Sequence, residues 1–268
     1  MTTIVTALYD IGREKIDGRG IEQYLQWFKK TLQLNCPMVI YCENENVDFI
    51  KKHRSSKLKT EIIVQQLDNI PYFYLKEKMD EILKDPDYIS KIKDPNRIEC
   101  QTSLYSIIQY SKFAWVKDVS EKNYFNSDYF LWMDAGLSRF MPSFDINQKF
   151  PGNNFLSRVK EIPSKPLFQI YMLPYSDLYN AKDLTTEYFY DNRSYVMGGM
   201  FGSDKNAINW LKEKVEFVLT EEMLSQNKFN NEQIAIGYLL KKYPNEFLVL
   251  RNNNQVHRNF ELIYQSFF

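Results

Sequence analysis

Asp134 has the clearest chemical placement in the sequence. It ends the apolar run Tyr129-Phe130-Leu131-Trp132-Met133 and is followed by Ala135-Gly136. An apolar run without alternation reads as a strand buried on both faces, which puts the acid at the strand's C-terminal end. Ligands of open α/β sheets bind outside those ends, so a carboxylate there can meet a cation or a hydroxyl. A second carboxylate, Glu232, opens a helical pattern in Asn230-Asn231-Glu232-Gln233-Ile234-Ala235. It can take a proton from a bound hydroxyl, or simply complement the helix dipole. Asp191, with Asn192, stands just ahead of a glycine block and is a further candidate on that side.

Glycine is scarce, 9 residues in 268, about half the usual share. Most of them sit in three places: Gly12, Gly18 and Gly20; Gly136; and Gly198, Gly199 and Gly202. Each place follows an apolar run, so close backbone approach to a ligand competes with plain turn formation as the reason for it. The two histidines, His53 and His257, are too few for a multi-histidine metal site or many forms of His-based hydrolase. His53 lies in Lys51-Lys52-His53-Arg54-Ser55-Ser56-Lys57, which reads as a solvated basic face. Cys36, Cys42 and Cys100 form no CxxC pair and are too scattered for a disulfide framework or a structural zinc site.

The elements that must position these residues alternate. Thr3–Leu8 reads as a buried strand ending in Tyr9-Asp10-Ile11-Gly12. Ile21, Tyr24, Leu25, Phe28 and Leu32 recur at helical spacing, and Met38–Tyr41 and Glu61–Val64 are further short strands. A basic helical stretch around Phe49–Arg54 lies between the last two, giving the βαβ order of a mostly parallel sheet. Residues 72–95, cut by Asp85-Pro86 and Asp94-Pro95, read as a short helix and a long loop. Leu104, Ile107, Ile108, Tyr110 and Trp115 mark a longer helix. Residues 141–192 read as an excursion over the sheet containing one strand, Phe168–Leu173. Ser194–Met197, a helix Ala207–Glu222, a helix Glu232–Lys242 and a strand Phe247–Leu250 follow.

Lys plus Arg and Asp plus Glu each count 34, so no net charge draws the protein to nucleic acid or an anionic membrane. The first residues, Met1-Thr2-Thr3-Ile4-Val5-Thr6-Ala7-Leu8, have neither a basic region nor a long apolar one. No apolar stretch approaches the roughly 18 residues of a membrane span. The expectation is a protein with no signal peptide and no transmembrane segment, acting in a reducing cytoplasm.

Three segments carry a family resemblance. Thr3-Ile4-Val5-Thr6-Ala7-Leu8-Tyr9-Asp10-Ile11-Gly12-Arg13, the Trp132-Met133-Asp134-Ala135-Gly136 block, and Gly198-Gly199-Met200-Phe201-Gly202 with Asn231-Glu232-Gln233 downstream resemble the HtrL/YibB-like family, read as GT-A-type glycosyltransferases. Its members occur in bacterial surface-polysaccharide clusters and in giant viruses, for which the compartment would be the host cytoplasm. The resemblance spans nearly the whole chain. It implies one α/β domain, GT-A-like (Rossmann-like), with a mostly parallel central sheet flanked by helices. Residues 1–136 would form the nucleotide-binding half, and 137–268 the acceptor half and tail.

The implied activity is transfer of a sugar from a nucleotide sugar, a UDP-sugar by analogy, to a glycan or glycoprotein acceptor. The resemblance places Thr6, Ala7, Tyr9 and Asp10 at base and ribose, Arg13 at phosphate, and Asp134, Ala135 and Gly136 at the diphosphate with Mn²⁺ or Mg²⁺. Gly198 and Gly199 would approach the sugar or acceptor, Glu232 or Asp191 would act on the acceptor side, and His257 would return to the metal. Gly136 stands where a DxD motif has its second acid, which leaves Asp134 to share the metal with phosphate oxygens and water. The alternatives are a non-catalytic glycan- or nucleotide-binding protein and a nucleotidyltransferase. The aromatic tail Arg251–Phe268 is expected to dock on the body.

Overall fold

The computed structural model describes residues 1–161, 164–171, 176–252 and 265–267. In chain order, β1 (Thr2–Leu8), α1 (Glu14–Asp17), α2 (Ile21–Thr31), β2 (Met38–Cys42), α3 (Val47–His53) and β3 (Thr60–Val64) come first. α4 (Lys76–Lys84), α5 (Pro86–Lys91), α6 (Ile98–Gln101) and α7 (Ser103–Lys122) lead to β4 (Tyr129–Met133). Then come α8 (Asn153–Glu161), β5 (Leu167–Tyr171), α9 (Ser176–Asn180), β6 (Val196–Ser203), α10 (Lys205–Phe217), α11 (Glu232–Lys242) and β7 (Leu248–Asn252).

The strands form one 7-stranded sheet in the order β3-β2-β1-β4-β6-β5-β7. All pair in parallel except β6, which runs antiparallel to both β4 and β5. This is the expected mostly parallel central sheet flanked by helices in a single domain. The central strands are buried on both faces because helices cover both: Met38-Val39-Ile40-Tyr41-Cys42 is buried at every position. One core layer packs Phe113 and Val116 of α7 with Leu211 of α10 and Leu239 of α11. The other sets Phe28 of α2 and Ile50 of α3 against Ile40 and Met133. The chain runs outward from β1 through β2 to β3 and then returns to β4 on the other side of β1. That reversal leaves a crevice beyond the C-terminal ends of β1 and β4, where doubly wound sheets hold ligands.

Several local expectations are corrected. Gly198, Gly199 and Gly202 lie inside β6, and not after a strand that stops at Met197. They are glycines because neighbours press on the strand: a Cβ at Gly202 would fall 2.2 Å from the Phe130 carbonyl oxygen across the β4–β6 pair. Asp85-Pro86 starts a helix where a loop is expected; the Asp85 carboxylate accepts from the Asp87 N–H, and Pro86 fills the first turn, where its missing N–H costs nothing. The 141–192 excursion contains α8 and α9, and the helix from Lys205 changes to π geometry over Val218–Met223. Arg54 is buried beneath the basic stretch, donating to the Leu32, Leu34, Cys36 and Lys59 carbonyls and to Thr60. A guanidinium with five donors can close off several strand and helix ends at once, which sequence polarity does not reveal.

The end of the tail docks as expected. Phe267 packs against the rings of Phe144 and Phe150 at 5.1 and 4.9 Å, and the Ser266 carbonyl accepts from the Gly152 N–H at 2.7 Å. Among the described residues no helix is long and apolar enough to cross a membrane.

Candidate functional site

The crevice between the ends of β1 and β4 is an open cleft, walled by the loop after β1, the segment after β4, one face of α7 and the middle of β6. α7 contributes Tyr105, Ile108, Gln109 and Lys112. Their i, i+3, i+4, i+7 spacing places them on one face of the helix. At the β1 end, the Tyr9 ring stacks on Trp115, centroids 5.6 Å apart and planes within 2°, and Trp115 stacks in turn on Trp132 at 5.9 Å. The Tyr9 hydroxyl is buried with no hydrogen-bond partner among the described residues. Burial, reinforced by Cys42 and Glu43, pushes the phenol far above its ordinary range, so it remains a neutral donor. Asp10 Oδ1 accepts from the Gly12 N–H at 2.9 Å, folding the loop into an Asx-type turn that brings Arg13 to the cleft.

Asp134 sits at the centre. Its N–H donates to the Gly199 carbonyl at 2.8 Å, which fixes it at the edge of the β4–β6 ladder. Oδ1 accepts from Trp132 Nε1 at 2.7 Å and lies 3.0 Å from Lys112 Nζ. The Lys112 ammonium is 1% exposed and also reaches Glu232 Oε1 at 2.9 Å and the Gly198 carbonyl at 3.3 Å. Burial pulls Lys112 towards neutrality, but Asp134 and Glu232 together outweigh it and hold its pKa above the ordinary lysine value. Burial pushes the Glu232 carboxyl up, and Lys112 reverses only part of that. Glu232 is placed by the cap of α11: the Asn231 side chain accepts from the Gln233 and Ile234 N–H groups and donates to Glu99 at 2.6 Å.

The structure brings Ala7, Tyr9, Asp10, Arg13, Asp134, Ala135, Gly136 and Gly199 to one cleft. Thr6 is fully buried in β1 and does not line it. Gly198 turns to the other side of β6, against Glu232. Glu232 is itself buried behind that strand, and meets the cleft only through Lys112. Asp191 does not line the cleft: its carboxylate accepts from Arg193 Nε and Nη2 and from Lys93 Nζ at 3.0, 2.9 and 3.0 Å. His257 lies outside the described residues. Sequence reasoning missed Lys112, Arg19, Arg139 and the aromatic stack; for the first no local signal was available, since Lys117 and Lys122 stand on the same helix.

The Asp191 cluster has a consequence for acid stability. Burial alone would raise the Asp191 carboxyl, but the hydrogen bonds from Arg193 and Lys93 outweigh it and bring the pKa from 3.8 to about 2. A depressed acid stabilises the fold above its unfolded pKa, and that contribution is lost as pH falls through the folded value. Asp191→Asn should therefore cost about 1–2 kcal/mol at pH 7, a figure discounted because Arg193 and Lys93 are partly exposed. Urea denaturation should show the difference from the parent shrinking as pH falls from 4 towards 2. A pH-independent deficit would mean that the loss is one of packing, not charge.

Of the metal ligands expected from the sequence, the described residues include Asp134 alone. Asp134 Oδ1 is already committed to an indole N–H and an ammonium, and the ammonium lies where a second cation would be repelled. A second acid at Gly136 would crowd the rings beside it, since a Cβ there would meet Tyr24 Cε1 at 3.0 Å and Trp27 Cε3 at 3.2 Å. Among the described residues no group of three or more His, Cys, Asp or Glu side chains converges.

Residues 1–262 match the family described as "Bacterial protein of unknown function (HtrL_YibB)". The chain belongs to this family. No curated protein matches the sequence. Among solved structures, the apo form of mouse xyloside xylosyltransferase 1 is similar to it at 9% identity and a TM-score of 0.45, over 100% of this chain and 92% of that one. For the HtrL/YibB family, the segments of this chain that carry the resemblance are the ones that wall or back the cleft: the end of β1, the Asp134 turn, β6 and the start of α11.

Proposed function

We propose that this HtrL/YibB protein is a glycosyltransferase that moves a sugar from a nucleotide sugar, a UDP-sugar in the first instance, to a hydroxyl of a glycan or glycoprotein acceptor. The observation that carries the reading is the cleft at the β1–β4 switch point, which gathers aromatic rings, four cationic side chains and two carboxylates. At the β1 end, Tyr9 offers a buried phenol donor and Asp10 a carboxylate oxygen for base or ribose hydroxyls. Arg13, Arg19, Arg139 and Lys112 line the cleft with Asp134. Gly199 puts bare backbone, with no side chain, beside the Asp134 carboxylate on the side assigned to the sugar. In the transfer, the bond from the anomeric carbon to the diphosphate oxygen breaks with its electron pair going to the diphosphate. The acceptor oxygen bonds to that carbon and loses its proton to water in the open cleft. Fixed cations aimed at the oxygen where charge develops lower the barrier without reorganising at the moment of reaction.

Saturating UDP, at about a hundred times its Kd, should stabilise the fold by roughly 3 kcal/mol. That is readable as a thermal shift of several degrees for a domain of this size. One member of a panel of nucleotide sugars should then be consumed slowly, yielding free sugar and UDP. Stabilisation without turnover of any donor would favour the binding-protein reading. Pyrophosphate release from a nucleoside triphosphate and a sugar phosphate would favour the nucleotidyltransferase.

A further inference from the structure

We infer that the donor's diphosphate is held by an arginine cluster, Arg13, Arg19 and Arg139, in front of the buried Lys112 ammonium, and that binding there needs no divalent metal. The inference rests on the nucleotide-sugar reading above and concerns how the same cleft balances charge. The cleft is lined by four cationic side chains, Arg13, Arg19, Lys112 and Arg139, and two carboxylates, Asp10 and Asp134. Behind the lining, Asp17 pairs with Arg13 and Arg19, and Glu232 shares Lys112 with Asp134, so the one lining cation with no carboxylate at ion-pair distance among the described residues is Arg139. The diphosphate of a nucleotide sugar, a double diester, supplies two negative charges.

The arginines are built for an anion. Arg139 makes no ion pair with a carboxylate among the described residues; its guanidinium carbon lies 4.7 Å from the Trp27 ring centre and 4.6 Å from that of Phe140. Stacking holds the flat face and leaves the N–H edge for an acceptor with two oxygens. Arg13 is set in place by its bonds to Asp17 and to the Tyr24 hydroxyl at 2.7 Å, with Tyr105 beneath it at 5.1 Å. Arg19 reaches Asp17 only at 3.9 Å and is half exposed. Burial lowers the Arg139 pKa and the charges of Arg19 and Arg13 lower it further, while Tyr24 and Asp134 offset only part of this. A divalent cation placed beside Asp134 would instead meet the Lys112 ammonium, which lies 3.0 Å from Oδ1.

Calorimetric titration of UDP and of inorganic pyrophosphate, each in EDTA and in Mn²⁺, tests this. UDP should bind in EDTA with a Kd within about threefold of its value in Mn²⁺. Arg139→Ala should weaken binding roughly tenfold or more, the loss expected for hydrogen bonds to a charged group. Arg139→Lys should fall between, keeping the charge but not the fork. Arg19→Ala, whose exposed side chain is remote from the core, gives a second variant should Arg139→Ala melt early. UDP binding seen only with Mn²⁺, or equal affinity in both arginine variants and the parent, overturns the cluster while leaving the nucleotide-sugar reading standing. Metal-free binding of pyrophosphate without binding of UDP upholds the cluster and overturns that reading. Binding of neither ligand in either buffer overturns both.

Discussion

Replacing Lys112 with methionine should destabilise the protein by about 3–5 kcal/mol, the loss expected when one partner of a buried ion pair is removed and the other is left in place. Methionine keeps most of the side-chain volume, so the deficit reports charge and not a cavity. Glu232 is the group left stranded, since its side chain is 4% exposed and Lys112 is the only cation within ion-pair distance among the described residues. Burial already raises the Glu232 pKa in the parent, and without Lys112 it should rise further. A raised carboxyl contributes stability below its unfolded pKa and loses that contribution as pH climbs through the folded value. The Lys112→Met deficit should therefore shrink as pH is lowered towards 4. Lys112→Met with Glu232→Gln should recover part of the loss, because no buried charge then remains. Urea denaturation of the parent, both single variants and the double variant measures the coupling. A single-variant loss below 1 kcal/mol would mean that the ammonium does not bridge these carboxylates.

This network shows where sequence reading ends. Asp134 was legible because strand, acid and glycine are contiguous and sheet topology says what lies outside a strand end. Lys112 was not, because its partners are remote: Glu232 lies 120 residues away, and nothing local to α7 distinguishes a lysine that snorkels to solvent from one held inside. The parallel order β1-β2-β3 followed from alternating elements, whereas the reversal at β6 did not. Its glycines lower strand propensity and read as a loop. Only the packing of Glu232, Leu137 and the Phe130 carbonyl against them explains a glycine-rich strand. Gly136 likewise read as an acid missing from a motif. The structure gives a steric reason for it, with the rings of Tyr24 and Trp27 occupying the space.

A single added methyl on each of two neighbouring glycines of β6 should give opposite results, since consecutive strand residues face opposite sides of the sheet. At Gly198 the new Cβ would lie 2.3 Å from Glu232 Oε1 and 3.1 Å from Gln233 Cγ. A free glutamate tip would swing aside, but this one is fixed by the Lys112 ammonium at 2.9 Å. Gly198→Ala should therefore cost about 2–3 kcal/mol, as overpacking of a closed site does, and should disturb Lys112 with it. At Gly199 the Cβ would meet Leu137 Cδ1 at 3.0 Å and Asp134 Oδ2 at 3.5 Å. The leucine tip can yield, so Gly199→Ala should cost less than about 1 kcal/mol. The methyl nevertheless enters the cleft beside Asp134, on the sugar side and away from the Tyr9 end, so turnover of the donor should fall more than UDP affinity. Denaturation midpoints, UDP titrations and donor-consumption rates for both variants separate the cases. If Gly198→Ala is as stable as the parent, the Lys112–Glu232 pair does not close that face of β6. If Gly199→Ala loses UDP affinity in step with turnover, the position beside Asp134 belongs to the nucleotide and not to the sugar.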